Sequence, residues 1–254
     1  MCMRLALSIF TALLGGLVRA ADALPSRPSG AASDLLSIVR FTYLRTTTIQ
    51  LRDGSDREVI SVEGSYVFHP TFKVNYDANY WRTDVTGSDQ TGWADSRIRP
   101  IYFPRTQRWR SLVYRTAVGM DLRLDAGNAD KGIGSGAHQF GVLAGLQLLF
   151  SRQTRMSIVG EHRKAFASEP GYDLEQTVLG VVGVHTFPTL KSWVATELIF
   201  VVNHEGDDTS TTTFKFQLGR SFTKTLGVHM DAVFPVAGRD FIDHAIRLTL
   251  RIQY

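Results

Sequence analysis

From about residue 36 onward the chain alternates apolar and polar positions with a period of two, the pattern of strands that show one face to an apolar medium and the other to a polar one. The last stretch shows it most cleanly. Ile246, Leu248, Leu250, Ile252 and Tyr254 alternate with Arg247, Thr249, Arg251 and Gln253. Phe72, Val74, Tyr76, Ala78 and Tyr80 do the same against Lys73, Asn75, Asp77 and Asn79. Leu226, Val228, Met230, Ala232 and Phe234 stand against His229 and Asp231. No stretch beyond the N-terminal region carries the 3.6-residue period of a long amphipathic helix, or the apolar length of a membrane-spanning one. Turn residues punctuate the strands, at Asp53-Gly54-Ser55-Asp56, His69-Pro70-Thr71 and Pro188-Thr189-Leu190 among others.

The pattern predicts strands over about 37–48, 58–69, 72–82, 98–103, 110–124, 138–150, 155–166, 174–187, 191–203, 211–222, from 226, and 241–254. In the first, Val39, Phe41 and Tyr43 share the face opposite Arg40. The fourth, Ile98 to Phe103, is the weakest, because Pro100 cannot join a ladder from the middle of a strand. The count is about twelve strands, or ten without the pair around Pro100, and even numbers are what single-chain bacterial barrels use. With Tyr254 at the periplasmic end, the connections at 69–71, 104–107, 151–154, 188–190 and 223–224 are all short. Those at 53–57, 84–97, 125–137, 167–173, 204–210 and 237–240 include every long one. Short inside and long outside is the outer-membrane asymmetry, which a lipocalin-like or sandwich fold does not predict. The expected fold is all-β: a transmembrane antiparallel up-and-down β-barrel in the bacterial cell outer membrane.

The N-terminal region agrees with export. Arg4, the apolar run Leu5 to Val18 and the Ala21-Asp22-Ala23 site give residues 1–23 the form of a cleaved signal peptide. Cys2, the single cysteine, would leave with it, so no disulfide or thiolate metal site is expected. Residues 24–35, rich in Pro, Ser, Gly and Ala, read as a periplasmic lead-in, and 36–254 as the barrel. The final strand, ending on aromatic Tyr254, resembles the C-terminal signal of outer-membrane proteins, which implies the barrel-assembly machinery as a partner. Tyr43, Tyr66, Tyr76, Tyr80, Tyr114 and Trp193 are candidates for aromatic girdles at the membrane interfaces.

A formal charge of +4 and a pI near 9.3 raise the question of nucleic acid. The basic residues are interleaved with acidic ones, and an exported chain seldom meets nucleic acid, so that class is set aside. Membrane lipid and lipopolysaccharide phosphates are the expected partners of the basic excess. A mean hydropathy of −0.05 is compatible with a barrel, whose lumen and loops dilute its lipid face.

Little in the sequence points to catalysis. Gly132-Ile133-Gly134-Ser135-Gly136 lacks the Lys-Ser/Thr pair of a phosphate loop and precedes a strand, not a helix. Of seven histidines, none has a serine two residues on, and His204-Glu205 lacks the second histidine of a zinc motif. His185 or His229 paired across strands with a Ser or Glu stays open as a route to a lipid-modifying enzyme. No catalytic, cofactor or metal residue is assigned. The charged residues expected to line the lumen are Arg40, Glu63, Lys73, Asp77, Arg115, Asp121, Arg123, Glu161, Arg163, Glu197, Lys215, Asp231, Arg247 and Arg251. Mixed charges at this scale either pair into a plug or line a narrow hydrated path.

One family resemblance adds to this. Gly119 to Leu124, then Asp125-Ala-Gly127-Asn-Ala-Asp130-Lys131-Gly132-Ile-Gly134-Ser135-Gly136, Gln139 and an apolar strand, resembles the "MetA-pathway of phenol degradation" outer-membrane proteins, whose members are often labelled transporters. The similarity runs from about Leu112 to Tyr254, with Asp125 where that family usually has proline. It implies a barrel of this kind and passive uptake of small, hydrophobic or aromatic solutes, and it carries over no ligand residue. The expected function is therefore a channel for small-molecule solutes, with a lipid-modifying enzyme and a plugged structural barrel with interacting loops as the alternatives.

Overall fold

The computed structural model describes residues 36, 38–104, 106–109, 112–168, 174–204, 209–238 and 242–254. The expected signal peptide and all but the end of the lead-in fall outside them. The described chain forms one continuous antiparallel sheet closed on itself. Its strands are β1 (Phe41–Leu51), β2 (Asp56–His69), β3 (Phe72–Thr83), β4 (Gln90–Tyr102), β5 (Gln107–Trp109), β6 (Leu112–Leu124), β7 (Ala137–Leu149), β8 (Thr154–Ser168), β9 (Glu175–Phe187), β10 (Ser192–Asn203), β11 (Ser210–Ser221), β12 (Leu226–Gly238) and β13 (Ile242–Gln253). Each pairs with its neighbour, and β1 pairs with β13 from Phe41↔Gln253 to Leu51↔Ile242. That last pairing joins the two ends of the sheet, so the ladder does not end on an edge that only water could satisfy.

β5 is a continuation of β4, not a separate wall member. β4 pairs with β6 from Ser96↔Leu124 to Tyr102↔Val118, and β5 takes over at Gln107↔Tyr114. The barrel thus has twelve walls, as the alternation predicts. The fourth wall was the misread one. It starts at Gln90, well inside the stretch expected to be an outer loop, and resumes at Gln107, the last residue of the stretch expected to be its turn. Pro100 is tolerated because the ladder between β4 and β6 is interrupted there, pairing Ile98 and Ile101 but not the positions between.

The surface is inverted relative to a soluble protein. Along β12, Met230, Phe234 and Val236 are exposed, while the alternating His229, Asp231 and Val233 are buried. The same holds for Ile60, Val62 and Tyr66 on β2, and for Phe140 and Val142 on β7. A belt of exposed apolar side chains around a polar interior is stable only in an apolar solvent. The two ends differ as well. Arg40 and Tyr254 meet at one end, where the Tyr254 N–H donates to the Arg40 carbonyl at 3.3 Å. The connections 70–71, 150–153, 188–191 and 222–225 lie at that terminus end. At the far end is a long connection, 125–136. It carries a short 3-10 turn, Ala129–Lys131, capped by the Asn128 side chain, and it packs inward through the buried Ile133. Also at the far end, the Ser55 hydroxyl and N–H both donate to the Asp53 carboxylate, which holds Asp53 below the usual carboxylate range.

One glycine is fixed by close approach. Gly219 on β11 is the register partner of Trp193 on β10, and the indole lies across it. A Cβ at Gly219 would stand 2.2 Å from Trp193 Cε2. Gly219→Val is therefore expected to expel the indole and to destabilise the barrel by about 1–3 kcal/mol, the usual cost of overpacking. A lowered urea midpoint with a red-shifted tryptophan emission would show it. An unchanged midpoint would mean the indole has room the structure does not give it.

Candidate functional site

The lumen is the candidate site. Inward parity brings together three levels that differ in chemistry.

At the far end is a polar cavity of about 260 Å³, walled mainly by β1–β4 with Arg123 and Arg247. It contains Glu63, Asp77 and Asp95 and four arginines, together with Trp81, Val59 and Ile49. Below it the charges pair. Arg99 bridges Asp121 and Glu161, at 2.7 Å to each. Arg123 approaches the same two carboxylates at 3.4 and 3.7 Å, and Arg163 reaches Glu161 at 3.5 Å and Gln176 at 3.0 Å. Arg97 holds Asp77 at 2.5 Å, and Arg45 holds Glu63 at 3.1 Å and donates to the Thr249 hydroxyl. On the opposite wall Lys215 and Glu197, register partners on β11 and β10, form an ion pair with both side chains almost fully buried. Burying charge is costly unless it is paired, and these carboxylates and cations sit next to each other across neighbouring strands.

The terminus end is apolar. Leu36, from the segment before β1, is buried against Ile101, Phe103, Ala117 and Val159, with Ile38 packed on the cluster. Gly145 makes room for it, since a Cβ there would lie 2.6 Å from Leu36 Cδ2. Val182, Val184, Trp193 and Ala195 form a second inward cluster. Phe41 stacks on Tyr43 at 4.4 Å, and His229 sits between Tyr43 and Trp193, at 5.7 and 5.3 Å between centroids. The N-terminal segment thus enters the lumen and narrows it at the terminus end.

All but one of the charged residues expected to line the lumen lie on inward-facing positions. Arg40 does not. It is exposed beside β2, donates to the Val67 carbonyl at 2.8 Å and covers the ring of the outward Tyr66 at 4.8 Å. The first strand therefore has the opposite facing to the expected one. Phe41 and Tyr43 are the buried, inward residues, because Tyr43 stands in register with Glu63 and Arg251. Tyr43 and Trp193 are accordingly inside and not girdle residues, whereas Tyr66, Tyr76 and Tyr80 are exposed on the outer face. Lys73 is fully buried, with its ammonium 5.6 Å from the Phe103 ring centroid. Arg115 donates to the Thr106 hydroxyl near the terminus end, and Arg251 donates to the Gln253 side chain at 2.7 Å.

Sequence reasoning missed Arg45, Arg97 and Arg99 as lumen residues. Arg45 followed from the inverted first strand, and Arg97 and Arg99 from the misread fourth one. Among the described residues, neither histidine considered for cross-strand catalysis is hydrogen-bonded to a serine. His185 faces outward and meets the Thr154 hydroxyl at 2.9 Å, while His229 lies 3.7 Å from the Asp231 carboxylate. Among the described residues, no group of three or more His, Cys, Asp or Glu side chains is placed to hold a metal ion.

No protein-family model and no curated protein matches the sequence. Solved structures match it by shape. The "COG4313 outer membrane channel from Pseudomonas putida F1" superimposes with a TM-score of 0.62 at 11% identity, covering 93% of this chain and 100% of that one. The NanC porin gives 0.62 at 10% identity over 85% and 100% of the two chains. The "KdgM porin in complex with disordered oligogalacturonate" gives 0.57 at 10% identity over 84% and 99%. At these identities the likeness is one of fold, and the fold is that of the outer-membrane β-barrels.

Proposed function

We propose that the chain is a passive channel of the bacterial outer membrane for small solutes, hydrophobic or aromatic ones among them. The observation that carries the reading is the inverted barrel itself: an apolar outer belt around a charged lumen that opens at the far end into a polar cavity. The similar structures are channels and porins by name, and the resemblance of residues 119–136 to the MetA-pathway proteins supports the same class and the same kind of solute. On this reading residues 1–23 direct export, Tyr254 presents the last strand to the barrel-assembly machinery, the terminus end faces the periplasm, and the far-end loops meet lipopolysaccharide. No chemical step is required. The cavity admits the solute, the paired charges set what passes, and the apolar level around Leu36 controls the exit.

Swelling of proteoliposomes in isosmotic solutes tests it. Vesicles holding the folded chain are expected to swell faster with small solutes than vesicles holding heat-denatured chain, and faster as solute size falls. Equal rates would remove the passive-diffusion reading. The apolar closure at the terminus end favours one second reading, a sealed barrel acting through its loops, and that reading predicts no swelling even when Leu36 is removed.

A further inference from the structure

We infer that the far-end cavity is a binding site for small organic monoanions with an apolar or aromatic body, in which Arg247 holds the carboxylate and Trp81 the ring. The inference deepens the channel reading and rests on it for its biological meaning.

Arg247 is the distinctive group. Four guanidiniums line the cavity, and three are engaged by acidic side chains: Arg45 by Glu63 at 3.1 Å, Arg97 by Asp77 at 2.5 Å and Arg123 by Asp121 at 3.4 Å. Arg247 has no ion pair or hydrogen bond of its side chain among the described residues. Asp231, opposite it in register, makes no hydrogen bond to it, and its carboxylate lies 3.7 Å from the His229 ring. A guanidinium facing a cavity with its donors unused is built for a planar, bidentate oxyanion, and a carboxylate is the smallest organic one.

The opposite side of the cavity sets one aromatic ring, Trp81, among polar groups. Arg247, Thr47, Val59 and Trp81 are successive register partners across β13, β1, β2 and β3, so they form one rung of the wall. At about 4.8 Å per strand the rung spans roughly 14 Å of backbone, and inward side chains close much of that distance. Arg57 lies over the Trp81 ring at 4.3 Å and donates to the Gly132 carbonyl at 3.3 Å, which holds the indole and ties the long far-end loop above it. Charge at one end of the rung and an aromatic wall at the other match a one-ring acid. A volume of about 260 Å³ falls just below the ~300–1,000 Å³ of drug-sized sites, which sets the size class.

Calorimetric titration of the folded full-length mature chain in a nonionic maltoside detergent tests this without requiring conduction. The probes are benzoate, acetate, benzyl alcohol and inorganic phosphate. Benzoate is expected to bind about ten- to a hundredfold more tightly than benzyl alcohol, the range of a charge-assisted bond. Arg247→Gln should lose about the same factor for benzoate and leave benzyl alcohol unchanged. Trp81→Leu should bring benzoate and acetate together. If Arg247→Gln does not fold, Arg247→Lys replaces it, with a partial loss expected because a point charge cannot make the bidentate contact. Benzoate bound equally by parent and Arg247 variant, or phosphate bound as well as benzoate, would overturn the site. Swelling without benzoate binding would sink this inference alone. Benzoate binding without swelling would leave the site standing and remove the channel.

Discussion

Lys215→Met is expected to destabilise the barrel by about 3–5 kcal/mol, because it leaves the buried Glu197 carboxylate without its partner. Both side chains are nearly inaccessible, on adjacent strands in the middle of the wall. The pair contributes little on balance, since desolvation offsets most of its attraction, but a single broken partner exposes the full cost. The double variant Lys215→Met with Glu197→Leu should therefore recover most of the loss. Urea unfolding in lipid vesicles, followed by tryptophan emission, gives the three midpoints. A single variant as stable as the parent would mean that Glu197 has exchanged Lys215 for another cation.

Leu36→Ala should loosen the closure of the lumen. Leu36 is the anchor of the N-terminal segment, fully buried among Ile101, Phe103, Ala117 and Val159. Truncating a buried leucine costs about 2–5 kcal/mol. Here that cost falls on the docking of one segment and not on the barrel wall, whose ladders do not involve it. Each ~1.4 kcal/mol is a tenfold change in the docked-to-undocked ratio, so the undocked fraction should rise by at least about tenfold. Single-channel records should show it as a longer open time at unchanged unitary steps, with the urea midpoint of the barrel kept. An open fraction equal to that of the parent would mean that Leu36 seals nothing.

Much of the barrel was legible because a strand's period of two is also the period of its environment. Wherever one face was plainly charged, as for Lys73 and Asp77 on β3 or Arg247 and Arg251 on β13, the inward set followed directly. The failures have physical causes. In the first strand both faces carry material either environment accepts, and Phe41 and Tyr43 look like lipid-facing aromatics until the lumen turns out to hold an apolar level. Around Gln90 to Arg97 the alternation is broken by a register shift at Ala78/Tyr80 and by Gly92, so a strand reads as a loop. The ion network was invisible for another reason. Arg99 and Glu161 are brought together by closure of the sheet, not by spacing. The Arg247 cavity likewise depends on β13 lying next to β1, which closure alone provides.

Single-channel conductance of residues 24–254, refolded and inserted into a planar bilayer, is the most direct test of the account. Folding is confirmed first by heat-modifiable gel mobility. Small, discrete steps are expected in the parent, and longer openings in Leu36→Ala. A folded barrel that stays silent in both would contradict the account.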